Sequence, residues 1–382
     1  MMTHDSSLAP TLSSPMRPPL IPLSEVTERA GLSGLSSHLK DLRGWLDSDV
    51  LAIEDQLSAL VAPPPEAAPG DLARRAAAHL LARPGKRIRP LCVMLGSRLG
   101  GERPAHHEAE TAPREAVHDL AIAAELVHAA TLLHDDVIDE GTERRGASAA
   151  RVVFGNSASI LAGDYLLIEA LDRVRRASER VPAGAELLGS LLNTIATMVA
   201  AEAEQLERRG RLEPNREVYL RIIDGKTASL FRWALGAGAL AAGLNHEQVA
   251  AVRDAGTALG LAFQLVDDVL DLEGDTEELG KDLFADIAQG KLTWPIIIAC
   301  EKRPELTVQL AELYANSQSG ALDAADTRQF VTELQTTGAI EATRMFAREQ
   351  QAIAEQKLAI LPDSYSRRAL GFVVQAAVER RR

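Results

Sequence analysis

Two triads of aspartates carry the clearest chemistry in this sequence. The first is Asp135, Asp136 and Asp139 in LVHAATLLHDDVIDEGTERRG, and the second is Asp267, Asp268 and Asp271 in LAFQLVDDVLDLEGD. Residues four apart on a helix share a face, with a rise of about 6 Å. Asp135 and Asp139 are therefore expected side by side with Asp136 flanking them, and the second triad repeats that spacing. The turns before each triad are apolar, so the acids can line a cavity with an apolar wall beneath. Crowded carboxylates repel one another unless cations neutralise them. Hard oxygen ligands in small number suit Mg²⁺, which keeps several waters and binds through one or two carboxylates plus substrate phosphates. A single triad also fits a solvated acidic helix end; two matched copies favour the metal site.

Acidic metal sites serve many reactions, so the groups able to bind phosphate must decide between them. RPGKRIRP supplies Lys86, Arg87 and Arg89 ahead of an apolar helix whose first turn suits Pro90. Arg144 and Arg145 lie a short loop beyond the first triad. Lys226 and Thr227 interrupt an amphipathic helix in YLRIIDGKTASLF, and Lys281, Asp286 and Lys291 follow the second triad in a loop. Guanidinium and ammonium groups hold a diphosphate by charge-assisted, partly bidentate hydrogen bonds. Each basic segment alone also fits a solvated turn. Together they surround two acidic triads, as a site for two metal-bridged diphosphates requires.

The elements that must position these groups are helices. Hydrophobic residues form 46% of the 382 residues and aromatics only 4%, so the apolar content is mostly Ala, Leu, Val and Ile, and Ala and Leu are strong helix formers. Apolar residues recur at helical spacing over 39–61, 71–82, 90–99, 115–139, 148–154, 157–177, 184–209, 215–241, 246–272, 291–302 and 304–315. Three more such stretches fall near 325–335, 338–358 and 363–380. No stretch alternates apolar and polar residues as a half-buried strand does. The expected fold is all-α, a single large antiparallel helical bundle over residues 36–382. Residues 1–35, rich in Ser and Pro, are expected as a flexible extension, and Pro63, Pro64, Pro65 and Pro69 mark a linker after the first helix.

Composition excludes several functions. A net charge of −13 argues against nucleic acid as the main partner. Cys92 and Cys300, each inside an apolar run, offer neither metal-ligand spacing nor a disulfide framework, which points to a reducing, cytoplasmic setting. No uninterrupted apolar run is long enough to span a bilayer, and the N-terminus lacks the series of regions of a signal peptide, so no transmembrane segment is expected.

Taken in order, these strings resemble the trans-type polyprenyl (isoprenyl) diphosphate synthase family over roughly residues 75–300. LLHDDVIDEGTERRG and FQLVDDVLDLEGD look like its two Asp-rich motifs, RPGKRIRP like GGKRLRP, and GKTASLF like its KTA motif. GDYLL, GKLTWP and AEAEQL, with Glu202 and Gln205, also fit. The resemblance implies the isoprenoid synthase fold around a central cavity and the coupling of an allylic diphosphate to isopentenyl diphosphate, in a homodimer. It implies that Asp135, Asp136, Asp139, Asp267, Asp268 and Asp271 hold three Mg²⁺ ions, with Mn²⁺ as a substitute. Arg144, Lys226 and Lys281 would add charge to the allylic leaving group, with Lys291 beside them. Lys86, Arg87, Arg89, His128 and Arg145 would hold isopentenyl diphosphate, and Thr227 and Gln264 would face the carbocation with oxygen dipoles. His128 competes with the reading of a satisfied core histidine, and Asp164 reads as a helix N-cap. Pro84, Ala201 and Asp282 depart from the family pattern without removing a charge.

Chain growth in such an enzyme needs a tunnel below the first Asp-rich motif. Ala130 and Thr131, five and four residues before Asp135, are small, and Val127 and Leu171 are candidate lower walls. The expected product is a long-chain all-trans polyprenyl diphosphate, and Ala130→Phe should shorten it. Shorter farnesyl or geranylgeranyl products, a class I terpene cyclase and a non-catalytic synthase subunit are the alternatives.

Overall fold

The computed structural model describes residues 33–60, 62, 71–83, 85–100, 114–273 and 287–380. Lys281, Asp286, most of the Pro-rich linker and residues 1–32 lie outside them. Among the described residues the chain forms fifteen α-helices, one π-helical turn and one short hairpin. The helix α1 (Ser33–Leu60) follows from its pattern: Leu35, Leu39, Leu42, Leu46, Val50, Ile53 and Leu57 recur every three or four residues and are all buried. Its first three residues fall in the stretch expected as a flexible extension. Then come α2 (Asp71–Leu81), α3 (Ile88–Gly96) and α4 (Arg114–Ile138).

The hairpin β1 (Glu143–Arg144) and β2 (Ala147–Ser148) pairs antiparallel, Glu143 opposite Ser148. Strands of two residues give no alternation for a sequence pattern to reveal. Beyond it run α5 (Ala150–Phe154), α6 (Asn156–Ser178), α7 (Gly184–Glu207) and α8 (Arg216–Ile223), then the π turn Asp224–Ala228 and α9 (Ser229–Ala241). The stretch 215–241, one helix by its periodicity, thus carries a π turn at its middle without leaving helical conformation. The bundle continues with α10 (His246–Leu270), α11 (Trp294–Lys302), α12 (Glu305–Gln318), α13 (Ala324–Thr336), α14 (Ala339–Leu358) and α15 (Tyr365–Glu379).

Two long helices at the centre fix the site. On α4 almost every residue from Ala116 to Val127 is buried, as expected for a helix apolar on all sides. On α10 the start is fixed by a capping box, in which Asn245 and Gln248 exchange side-chain to backbone hydrogen bonds. Each carries an acidic triad at its C-terminal end, where the helix dipole is negative and favours cations. Carboxylates are unfavourable there until a positive group joins them.

The expectation that no segment could span a bilayer needs correcting. By length and composition α4, α7 and α10 all qualify, because an 18-residue stretch of each holds at most two charged residues. The sequence reading required runs with no interruption at all. In this fold 83% of that stretch of α4 and 61% of that of α10 are buried in the bundle, but only 28% of that of α7 is.

Candidate active site

A cavity of about 930 Å³ opens between these helices, at the upper end of the range for ligand pockets. Asp135 and Asp267 both line it, so the ends of α4 and α10 face one space. Lys86, Arg87, Arg89, His128, Arg144, Arg145, Lys226, Thr227 and Gln264 line it too. A smaller cavity of about 240 Å³ shares Lys226, Thr227 and Gln264 with it and is lined by Asp268, Asp271 and Lys291.

The triads do not present three equivalent carboxylates. Asp136 is 1% exposed and is clasped by Arg144, whose Nε and Nη2 donate to Oδ1 over 2.8 and 2.6 Å. Asp268 is 3% exposed and accepts from the Tyr219 hydroxyl, the Trp294 backbone N–H at 3.0 Å and Gln264 Nε2 at 3.1 Å. A residue one step along a helix turns about 100° away, so the middle acid of each triad anchors its helix end to neighbouring elements. Burial pushes the Asp268 carboxyl up to about 6, against these hydrogen bonds.

Asp135, Asp139 and Asp267 each face a cation. Lys226 Nζ lies 3.6 Å from Asp135, and Lys291 Nζ lies 2.8 Å from Asp139. Arg209 also bonds Asp139, and Arg380 Nη2 lies 2.7 Å from Asp267. Burial raises the Asp135 carboxyl, Glu202 and Asp139 raise it further, and Lys226 opposes them. Among the described residues no three acidic, His or Cys groups converge on one point. The donor set therefore fits an ion held by one or two carboxylates and completed by phosphate oxygens, the manner of Mg²⁺.

The π turn explains how Lys226 and Thr227 leave a helical pattern. One extra residue per turn is a feature that recurs at functional sites. A Cβ on Gly225 would sit 2.6 Å from Ala201 Cβ, so glycine lets the turn press against α7. Lys226 Nζ then donates to Glu202 Oε2 at 2.5 Å and Gln205 Oε1 at 3.0 Å. Thr227 donates to Gln264 Oε1 at 2.9 Å, and Gln264 in turn donates to Asp268. The oxygen dipoles expected at Thr227 and Gln264 are thus held in a chain that ends on a buried carboxylate.

The basic wall is organised by Glu125, which sequence reasoning missed. Glu125 is 2% exposed, bonds Arg87 and lies 3.5 Å from Arg145. Burial raises its carboxyl, but the charges of Arg87 and Arg145 outweigh that and hold it below its ordinary value. Arg87, expected at the substrate, is 4% exposed and also donates to Glu54 at 3.0 Å and to the Leu81 carbonyl at 3.4 Å, so its hydrogen bonds go to two protein carboxylates and a backbone oxygen. Arg89 lies over the Phe231 ring, 4.7 Å from its centroid. His128 lines the cavity between them, and burial followed by the charges of Arg89 and Arg145 keeps it neutral, well below its usual pKa. A lone acid on the apolar face of α4 was the signal available for Glu125.

Two more residues escaped the sequence reading. Arg380, 1% exposed, donates to the Phe263 carbonyl at 2.5 Å and covers the Phe263 ring at 3.8 Å. It reaches the site from the far end of the chain, a separation no local pattern reveals. Tyr219, on α8, joins the site through its bond to Asp268 and its ring contact with Trp294, 5.4 Å between centroids. Asp164, expected as an N-cap, lies inside α6 and sits 3.4 Å from His134.

The apolar part of the cavity corrects the tunnel assignment. Thr131 and Val127, four and eight residues before Asp135, line it together with Leu167, Ile195 and Met198. Ala130 is fully buried in the core and lines neither cavity, and Leu171 packs behind the wall. Helical geometry gives the reason: i−4 and i−8 share the face of Asp135, whereas i−5 lies about 140° away.

Residues 71–332 match the sequence profile of the polyprenyl synthetase family. The short chain isoprenyl diphosphate synthase of Methanothermobacter thermautotrophicus is 33% identical over 308 residues, covering 80% of this chain and 90% of that one. The octaprenyl diphosphate synthase of Escherichia coli is 34% identical over 309 residues, covering 78% and 87%. A crystal structure of polyprenyl synthase from Caulobacter crescentus, complexed with calcium and isoprenyl diphosphate, superposes with a TM-score of 0.76 at 33% identity, covering 89% of this chain and 97% of that one. Two acid-bearing helix ends facing one basic-walled cavity, in a chain that matches over this length, leave one conclusion: it belongs to the polyprenyl synthetase family.

Proposed function

We propose that this chain joins isopentenyl diphosphate to an allylic diphosphate in a Mg²⁺-dependent reaction and builds a long all-trans polyprenyl diphosphate. The observation that carries this reading is the single cavity that Asp135 and Asp267 line together with Lys86, Arg89 and Arg145. Asp135, Asp139, Asp267 and Asp271 would hold the metal, three ions by family analogy, with Mn²⁺ as a substitute. Bound there, the metal supplies charge that stabilises the diphosphate as it departs. Lys226, and Arg144 beside it, add positive charge at the same leaving group. Lys86, Arg89, Arg145 and neutral His128 hold isopentenyl diphosphate, whose double bond attacks the allylic carbon. Gln264 and Thr227, fixed by Asp268, aim oxygen dipoles at the positive charge between them. The allylic C–O bond breaks, the new C–C bond forms, and the proton lost from isopentenyl diphosphate passes to the released diphosphate.

The lining supports a long product. Phe263 is the single aromatic among the described lining residues of the large cavity, and Val199, which also lines it, is 63% exposed. A growing chain thus meets no aromatic floor and reaches the face of α7. That face and its neighbour α6 expose Ile160, Leu161, Ile168, Leu192, Val199 and Leu206. A second copy of the chain is the proposed cover, giving a homodimer. The free, buried Cys92 and Cys300 suit the proposed cytoplasmic setting.

Incubation with isopentenyl diphosphate, allylic primers of several lengths and Mg²⁺, followed by chromatography of the dephosphorylated products, tests the reading. Long linear prenols dependent on both substrates are expected. Cyclic hydrocarbon without isopentenyl diphosphate, or turnover only after a second polypeptide is added, overturns it. Light scattering with wild type and Leu192→Asp tests the dimer, which the charge should dissociate.

A further inference from the structure

Among the described residues, Asp139 is the one acid of the first triad whose two carboxylate oxygens are each taken by a different cation. Arg209 Nη2 bonds Oδ1, and Lys291 Nζ sits 2.8 Å from Oδ2. The two cations come from segments far apart in sequence, and a backbone device brings them together. Gly210 and Gly290, each next to one of them, both have positive φ, 74° and 63°. Gly210 N–H donates to the Gly290 carbonyl at 3.4 Å, and a Cβ on Gly290 would lie 2.3 Å from Gly210 N. Only glycine permits that approach. Arg209 Nη1 further reaches the Ile138 carbonyl at 3.4 Å, while its Nε is buried with no acceptor among the described residues.

We propose that Arg209 is a counter-cation that holds Asp139 until metal and diphosphate arrive together, and then turns to the diphosphate. This rests on the reading that Asp139 is a metal ligand. With Arg209 and Lys291 on its two oxygens, Asp139 carries little net attraction for a free divalent ion, because like charges approach the same carboxylate. A diphosphate changes the balance. It offers Arg209 a bidentate anion and brings its own oxygens to the ion. Free Mg²⁺ therefore binds weakly, and Mg²⁺ and diphosphate bind with strong mutual coupling. Arg209 thus acts on Asp139 and then on the diphosphate, and not on the reacting carbon.

Calorimetry with Mg²⁺ alone, and with inorganic diphosphate at saturating Mg²⁺, tests this without turnover. In Arg209→Gln, Mg²⁺ alone should bind about tenfold more tightly and diphosphate about tenfold more weakly, the scale of one hydrogen bond to a charged group. Arg209→Lys keeps the charge and should restore much of the wild-type pattern, and it serves if the Gln variant does not fold. Unchanged or weaker Mg²⁺ binding in Arg209→Gln overturns the proposal, as does unchanged diphosphate affinity. Should wild type bind no diphosphate with Mg²⁺ at all, the reading of the site itself fails, a result distinct from either.

Discussion

Lys226 reaches Glu202 over 2.5 Å from a π-helical turn, and the same ammonium lies 3.6 Å from Asp135. Burial works against its charge, but Asp135 and Glu202 outweigh burial and raise its pKa. Lys226 is therefore held in its protonated form, at the place proposed for the departing diphosphate. Lys226→Met should lower kcat by about 10²–10³, the loss expected for one preorganised group at a developing anion. Glu202→Gln keeps a hydrogen-bonding partner and leaves Asp135 in place, so about a tenfold loss is expected. Single-turnover rates at saturating substrate and metal measure both. Full activity in Lys226→Met would remove the lysine from the leaving-group site.

The tunnel yields a pair of opposed outcomes. Thr131 lines the cavity on the face of Asp135, so Thr131→Phe should shorten the product by several isoprene units while leaving the first condensation intact. Ala130 is fully buried in the core, where the added ring would overpack the bundle. Ala130→Phe should cost about 1–3 kcal/mol or more of stability. Chromatography of products and thermal melting separate the two. Shortening by Ala130→Phe without loss of stability would reverse this assignment.

Sequence alone went far here because the chemistry sits on helices. The 3.6-residue period locates α4 and α10 to within a residue or two, and the triads at their ends are contiguous strings. What stayed hidden is set by tertiary partners. Spacing puts Asp136 and Asp268 among the ligands, and only the fold shows the hydrogen bonds that Arg144, Tyr219 and Trp294 donate to them. Periodicity runs straight through Asp224–Ala228, since a π turn adds one residue without changing hydrophobicity. Glu125, Arg209 and Arg380 are ordinary charges in the sequence, and become site residues through contacts 38, 70 and 117 residues away.

His128 yields a prediction about pH. Burial and four surrounding arginines, Arg89 and Arg145 foremost, keep its ring neutral far below the ordinary value of about 6.5. A neutral ring contributes one N–H and no charge to a bound diphosphate. His128→Gln should therefore raise KM for isopentenyl diphosphate only a few-fold, about the worth of an altered neutral hydrogen bond. In wild type the same KM should show no titration near pH 6.5. An inflection there that disappears in His128→Gln would show a charged ring.

Asp49 links the first helix to the bundle and should govern acid stability. Its carboxylate, 6% exposed, accepts from Arg114 Nε at 2.6 Å, bonds His118 Nε2 at 2.8 Å and pairs with Arg98. Burial raises its pKa, but the His118 hydrogen bond and the charges of Arg98 and Arg114 overcome that and hold it well below 3.8. A depressed carboxyl contributes stability that is fully present above its unfolded pKa and is lost as pH falls toward the folded one. The Arg114 side chain is 49% exposed, so solvent screens part of the interaction. Asp49→Asn should cost about 1–3 kcal/mol at neutral pH, less than a fully buried pair. Denaturant unfolding of both proteins from pH 7 to pH 3 should show the deficit of Asp49→Asn constant down to about pH 4 and shrinking below it. A deficit that persists undiminished at pH 3, or is absent at pH 7, would mean that the arginines gain nothing from this carboxylate and that α1 is held by its leucine stripe alone.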